Sequence, residues 1–169
     1  MAMERKGIVT FKGKPLTLLG TAVKPGDTAP DFTVLDRGLN LAGLKDFGGK
    51  TRLISVTPSL DTPVCDQQAR RFNELAANLP GDVVVMNISM DLPFAIGRFC
   101  TTAGIEKVLT FSDHREASFG TNYGILIKEL RLLARSIFVI DRDGKIKYME
   151  IVPEMTGQVD FEKALKEVR

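Results

Sequence analysis

The chain has 169 residues, 44% hydrophobic and 26% charged, the size and balance of one globular domain able to bury a sizeable core. Its 23 basic and 21 acidic residues leave a net charge of +2, which gives no argument for nucleic acid, a membrane surface or a strongly acidic substrate. With no Trp and two Tyr a base-stacking platform is not expected, and no stretch approaches the length of a membrane-spanning helix.

Residues 7–19, GIVTFKGKPLTLL, predict two short strands around Lys12-Gly13-Lys14, with glycine at the hairpin tip. Residues 22–31 form an irregular link rich in Pro and Gly, followed by a short strand from Phe32 to Leu35. A turn of helix is expected within Asn40 to Phe47, before Gly48-Gly49 breaks the chain. Thr51 to Thr57 reads as a buried strand that runs into the loop Pro58-Ser59-Leu60-Asp61-Thr62-Pro63. A helix follows, with Val64, Ala69, Phe72, Leu75 and Ala76 at its apolar or large positions, and ends near Leu79-Pro80-Gly81. Val83 to Ser89 is a continuous apolar run of the kind found inside a parallel sheet.

Pro93 to Thr102 is a second helix, Val108 to Ser112 a short strand and Glu116 to Tyr123 a short helical piece. Ser136 to Asp141 and Lys145 to Val152 form a hairpin across Arg142-Asp143-Gly144. Val159 to Arg169 is an amphipathic terminal helix with Phe161, Leu165 and Val168 on one face. The order predicts one α/β domain over 1–169, with a central mixed sheet covered by helices. The N-terminus has charges but no apolar run behind them, so no signal peptide is read and a cytoplasmic location is expected.

Only two cysteines occur, Cys65 and Cys100. In a reducing compartment such a pair is more often chemical than structural, although both could serve as small buried hydrophobes. Cys65 is the one in a telling place. In open α/β sheets, sites gather where a strand ends and a helix begins. There Cys65 falls in the first turn of the helix, where unpaired N–H groups and the positive end of the helix dipole favour a thiolate, the nucleophilic form. Thr62 is placed to cap that helix and to hydrogen-bond beside the sulfur, while Pro58 and Pro63 stiffen the loop.

Pro58, Thr62 and Cys65 resemble the peroxiredoxin active-site pattern. The longer run PSLDTPVCDQQARRFNELA is similar to the thiol peroxidase subfamily, the atypical two-cysteine peroxiredoxins of bacteria. So are Asp91-Leu92-Pro93-Phe94-Ala95 with Arg98-Phe99-Cys100, and Leu133-Ala134-Arg135-Ser136 leading into FVID. The resemblance runs over essentially the whole chain. It implies a thioredoxin-like fold that begins with an N-terminal β-hairpin, and a peroxidase reducing hydrogen peroxide and organic hydroperoxides. By resemblance Cys65 is the peroxidatic cysteine, Thr62 hydrogen-bonds thiolate and peroxide, Pro58 shields the sulfur, and Arg135 stabilises the developing charge. Cys100 is the resolving cysteine that closes a disulfide with Cys65. The implied partners are thioredoxin or a similar dithiol protein and a second copy in a homodimer. No metal, flavin or haem is implied.

Other chemistries find less support. His114, the single histidine, lies in the polar run Ser112-Asp113-His114-Arg115 and is a poor base for a Cys–His hydrolase. Two Cys and one His lack zinc spacing, and Phe47-Gly48-Gly49-Lys50 lacks P-loop spacing. A disulfide reductase usually carries Cys-x-x-Cys, but position 62 is Thr. A non-enzymatic redox sensor using the same Cys65 stays open. Arg70-Arg71 reads as a solvated helix face. Phe94, Phe99, Met86, Met90 and Met149 read as core, or as the lining of a peroxide pocket.

Overall fold

A computed structural model describes residues 3–168, so Met1, Ala2 and Arg169, the last of which ends the expected terminal helix, lie outside the described residues. Strands β1 (Glu4–Phe11) and β2 (Lys14–Leu19) form the expected antiparallel hairpin, with Phe11 opposite Lys14. Lys12 and Gly13 both have positive φ (49° and 78°), the backbone of a two-residue turn whose twist matches its strands. Strands β3 (Val34–Leu35) and β4 (Leu41–Ala42) pair antiparallel, and a 3-10 turn spans Leu44–Phe47. The strand expected from Phe32 is thus only two residues long. Phe32 itself is diverted into the core, edge-on to Phe119 with ring centroids 5.0 Å apart.

Strand β5 (Thr51–Val56) leads to helix α1 (Pro63–Ala76), β6 (Val83–Ser89), helix α2 (Pro93–Ala103) and β7 (Leu109–Ser112). The three strands are parallel in the order β5-β6-β7, as successive helical crossovers require. Helix α3 (Ser118–Asn122) and strand β8 (Leu126–Ile127) follow, then the hairpin β9 (Ser136–Ile140) and β10 (Ile146–Ile151), and helix α4 (Phe161–Val168). The main sheet has the order β10-β9-β5-β6-β7-β3-β4, with β9 antiparallel to β5. Strand β8 joins β2 in a second sheet, β1-β2-β8.

The apolar strands are covered on both faces, which is why they read as continuous runs instead of alternating ones. Along β9, Ile137 and Val139 enter one cluster with Phe72 of α1, Ile96 and Cys100 of α2, and Leu165 of α4. Phe138 and Ile140 enter the other, with Val9, Leu18, Phe119 and Tyr123. Helices α1, α2 and α4 therefore share one face, and the hairpin β1–β2 and α3 lie across the other.

Asp113 holds the start of α3. Its carboxylate is buried and accepts the backbone N–H groups of Phe119 (3.0 Å) and Gly120 (2.8 Å). Burial outweighs these bonds and raises its pKa from 3.8 to about 6. The folded chain then binds this proton more tightly than the unfolded chain, so the group's contribution to stability falls as pH rises through the window from 3.8 to about 6. Denaturant unfolding of wild type and Asp113→Asn at pH 4, 5, 6 and 7 checks this. The difference should move in the variant's favour by about 2 kcal/mol across the series, whatever its constant offset; a pH-independent difference refutes it.

Candidate active site

After β5 the chain passes through buried Thr57 and Pro58 and turns over Ser59 to Thr62 into α1. Thr62 has the extended backbone of an N-cap (φ −131°, ψ 149°), and Pro63 occupies the first turn. The expected side-chain cap is not formed. The Thr62 hydroxyl donates backward to the Ser59 carbonyl at 3.0 Å, which closes the loop on itself. Cys65 lies in the first turn of α1 and is wholly buried.

Arg135 stands just before β9 and is also buried. Its Nη2 donates to Cys65 Sγ at 3.1 Å. Nε and Nη2 both reach the Met155 carbonyl, at 3.2 and 3.0 Å, and Nη1 donates to Gln68 Oε1 at 2.9 Å. Gln68 in turn donates from Nε2 to Ser55 Oγ at 2.7 Å and to the Val56 carbonyl. Asn87 continues the network from Nδ2 to Thr57 Oγ1 at 3.3 Å.

None of the ion pairs among the described residues includes Arg135. The guanidinium is held by two neutral oxygens and a sulfur. Of these three acceptors only the sulfur can become an anion. The arrangement sets a fixed cation and a hydrogen-bond donor against the Cys65 sulfur.

Sequence reasoning missed Gln68, Ser55, Asn87 and Met155. Gln68 did carry a signal. It lies three residues after Cys65, hence on the same helical face, and it is the one polar residue among the buried positions Cys65, Gln68, Ala69 and Phe72. Met155 contributes only its backbone carbonyl, so its side-chain identity carried none.

Cys100, near the end of α2, is buried and not joined to Cys65. Its thiol donates to Thr110 Oγ1 on β7 at 3.6 Å. Cys65 instead faces Arg135 at the head of β9. Two strands, β5 and β6, separate β9 from β7, a span of about 14 Å at ordinary sheet spacing. Cys65 and Arg135 thus meet at one end of the sheet, Pro58 and Thr62 lie in the loop that leads into α1, and Cys100 sits apart on the same face.

Phe94 departs from the core reading, being 72% exposed, and neighbouring Leu92 is exposed too. Phe99 is half-buried and borders a cavity of about 310 Å³ between the loop and α2, with Ser59, Leu60, Asp91 and Arg98. Met86 is core, and Met90 and Met149 pack at the core's edge. Arg70 and Arg71 lie on an exposed face and pair with Asp66 and Glu74. Among the described residues no group of three or more His, Cys, Asp or Glu is arranged to hold a metal ion, and no helix is long and apolar enough to cross a membrane.

Comparison with known proteins gives the family. The Redoxin family model matches residues 24–167. A thiol peroxidase of Bacillus subtilis (strain 168) is 58% identical over 158 residues, 94% of each chain. One from Staphylococcus saprophyticus is 54% identical over 161 residues, 95% of this chain and 97% of the other. The chain belongs to the thiol peroxidases of the peroxiredoxin family. The crystal structure of a peroxiredoxin-like protein from Aquifex aeolicus superposes with a TM-score of 0.88 at 37% identity, covering 97% of both chains. The mixed sheet flanked by helices is accordingly the thioredoxin-like fold of peroxiredoxins, and the chain is an oxidoreductase that reduces peroxide through a thiol.

The guanidinium contact makes a quantitative demand on this peroxiredoxin. Arg135→Met should slow oxidation of Cys65 by peroxide about 10²- to 10³-fold, the usual loss for one preorganised donor at a developing charge. Gln68→Met leaves the guanidinium and Ser55 short of a partner. It should lower stability by about 1–3 kcal/mol and slow the reaction less than Arg135→Met does. Rapid-quench alkylation and denaturant unfolding measure the two effects. Equal peroxide rates for wild type and Arg135→Met would contradict the assignment.

Proposed function

We propose that Cys65 is the peroxidatic cysteine of a two-cysteine cycle that reduces hydrogen peroxide and organic hydroperoxides. The observation that carries the reading is the 3.1 Å contact between the buried Arg135 guanidinium and the Cys65 sulfur. The thiolate attacks one peroxide oxygen, the O–O bond breaks, and the leaving oxygen takes a proton to become water or an alcohol. Cys65 becomes a sulfenic acid. Arg135 stabilises the thiolate and the charge that passes along the O–O bond. Pro58, buried above the helix start, keeps bulk water from the sulfur. Thr62, whose hydroxyl is exposed and rests on the Ser59 carbonyl, turns to hydrogen-bond the incoming peroxide.

Cys100 then attacks the sulfenic sulfur, releasing water and leaving a Cys65–Cys100 disulfide. The separate placements of the two thiols, on Arg135 and on Thr110, require both helical segments to unwind locally before the bond can close. Thioredoxin, or a dithiol protein like it, reduces the disulfide in the cytoplasm, and two copies of the chain form the working dimer.

Repeated peroxide consumption in the presence of thioredoxin and its reductase tests the cycle. Cys65→Ser should abolish it. Cys100→Ser should permit one turnover and then stall. Undiminished consumption by Cys65→Ser overturns the peroxidatic assignment, and sustained thioredoxin-linked turnover by Cys100→Ser replaces the two-cysteine cycle with a one-cysteine one. Hydrogen exchange around both cysteines should rise on oxidation; identical exchange in the reduced and oxidised protein rejects the unwinding step.

A further inference from the structure

The two helices that carry the cysteines are tied together at their starts by one carboxylate. Asp91 lies just before Leu92, the N-cap of α2. Its Oδ1 accepts the Ser59 hydroxyl at 2.7 Å, and its Oδ2 accepts the Leu60 backbone N–H at 2.7 Å. Ser59 and Leu60 belong to the loop that leads into α1. Through Ser59 the tie extends to the N-cap of α1: Ser59 Oγ also accepts the Asp61 N–H at 3.2 Å, and the Ser59 carbonyl accepts the Thr62 hydroxyl.

Asp91 is itself fixed to the sheet. Ser89 Oγ donates to Oδ2 at 3.1 Å, and the Ser112 hydroxyl donates to the Asp91 carbonyl. The loop has little else to hold it. Asp61, Thr62 and Pro63 are exposed, and the 310 Å³ cavity lies between the loop and the face of α2. Leu60 supplies the one buried apolar anchor beyond Pro58.

We propose that Asp91 is a positioning residue, a latch that sets how long oxidised Cys65 stays in the folded pocket before it meets Cys100. The inference rests on the two-cysteine reading. While the latch is closed, the first turn of α1 is formed and Cys65 faces Arg135, the geometry that reacts with peroxide. Opening it frees the loop and the start of α1, and Cys100–SH then attacks Cys65–SOH to give the disulfide and water. A closed latch also leaves the sulfenic acid where a second peroxide can oxidise it to the sulfinic acid, with release of water or alcohol. The strength of the latch therefore divides the sulfenic acid between the two fates.

Asp91→Asn keeps the shape but weakens bonds to an ionised acceptor. The chain has no Trp, so rapid quenching, thiol alkylation and intact mass supply the readout. In Asp91→Asn the disulfide should form about tenfold faster than in wild type, and the sulfinic fraction at excess peroxide should fall in proportion. Oxidation of Cys65 in a Cys100→Ser background should slow. A residue that only supports the fold would slow both steps.

Ser59→Ala removes one arm of the same latch and keeps the test decisive if Asp91→Asn does not fold. It should shift both readouts the same way by a smaller factor. The double variant should exceed Asp91→Asn by less than Ser59→Ala changes the wild type, because the two residues share the Ser59–Asp91 bond. Wild type that forms the disulfide, with variants that form it no faster and yield as much sulfinic acid, overturns the latch. Wild type that forms no Cys65–Cys100 disulfide overturns the two-cysteine reading and the latch with it.

Discussion

A guanidinium buried without a carboxylate partner among the described residues is the constraint around which this molecule is arranged. Taking an ion out of water is expensive, and neutral oxygens only partly replace its hydration. Arg135 has the Met155 carbonyl on one side, Gln68 Oε1 on another, and Cys65 Sγ in front of Nη2. The Met155 carbonyl has to be rigid to serve. It sits in the turn after β10, and that turn is bonded to the N-terminal hairpin: Met155 donates to the Thr10 carbonyl at 2.9 Å, and Thr10 donates to the Pro153 carbonyl at 2.7 Å. The hairpin, remote from Cys65 in sequence, thereby contributes to the place of the guanidinium.

Polar residues interrupt otherwise apolar strands, some in the service of this constraint and some of the loop before Cys65. Ser55, Thr57, Asn87, Ser89 and Ser112 are all buried, and all lie at or just beyond the final residues of the parallel strands β5, β6 and β7. A buried hydroxyl or amide is tolerated where it has partners. Here the partners are one another, Gln68 and Asp91. The two networks meet at the strand ends. One orients Arg135 against Cys65, and the other fixes the loop before Cys65. Sites in open α/β sheets collect at this edge because strands stop there and helices start, leaving donors and acceptors that packing has not consumed.

The long elements were legible in the sequence because each carries a hydrophobic period or an unbroken apolar run over several turns or pleats. Helices α1 and α2, strands β5 and β6, and both hairpins lie within a few residues of their expected bounds. Strand β8 was not expected. It is two residues long, too short for alternation to register, and it exists because β2 offers it an edge. The site was legible as residue types at a strand-to-helix turn, which pointed to Cys65, and as a resemblance, which added Arg135. Its wiring was not. A hydroxyl such as that of Thr62 can serve either the helix N–H groups behind it or a carbonyl in front, and only the loop's path decides. A backbone carbonyl such as that of Met155 carries no side-chain signature. Phe94 shows the opposite limit: an aromatic at a helix start reads as core, yet the helix turns that position outward.

Peroxide reduction through two distant thiols, as proposed, makes opposing demands on the same few residues. Attack on peroxide needs Cys65 dry and fixed against Arg135. Disulfide closure needs it loose. Local opening is cheap where few buried contacts and many exposed backbone groups coincide. The start of α1 meets that description, since its exposed residues 61–63 end in a proline that gives the helix no N–H to lose. At the end of α2, Thr101, Thr102 and Gly104 are exposed, and Gly104 adopts the left-handed conformation (φ 68°) that terminates the helix. Each cysteine thus sits within about one turn of a helix terminus, so bringing them together requires fraying two ends while the sheet beneath keeps its pairing.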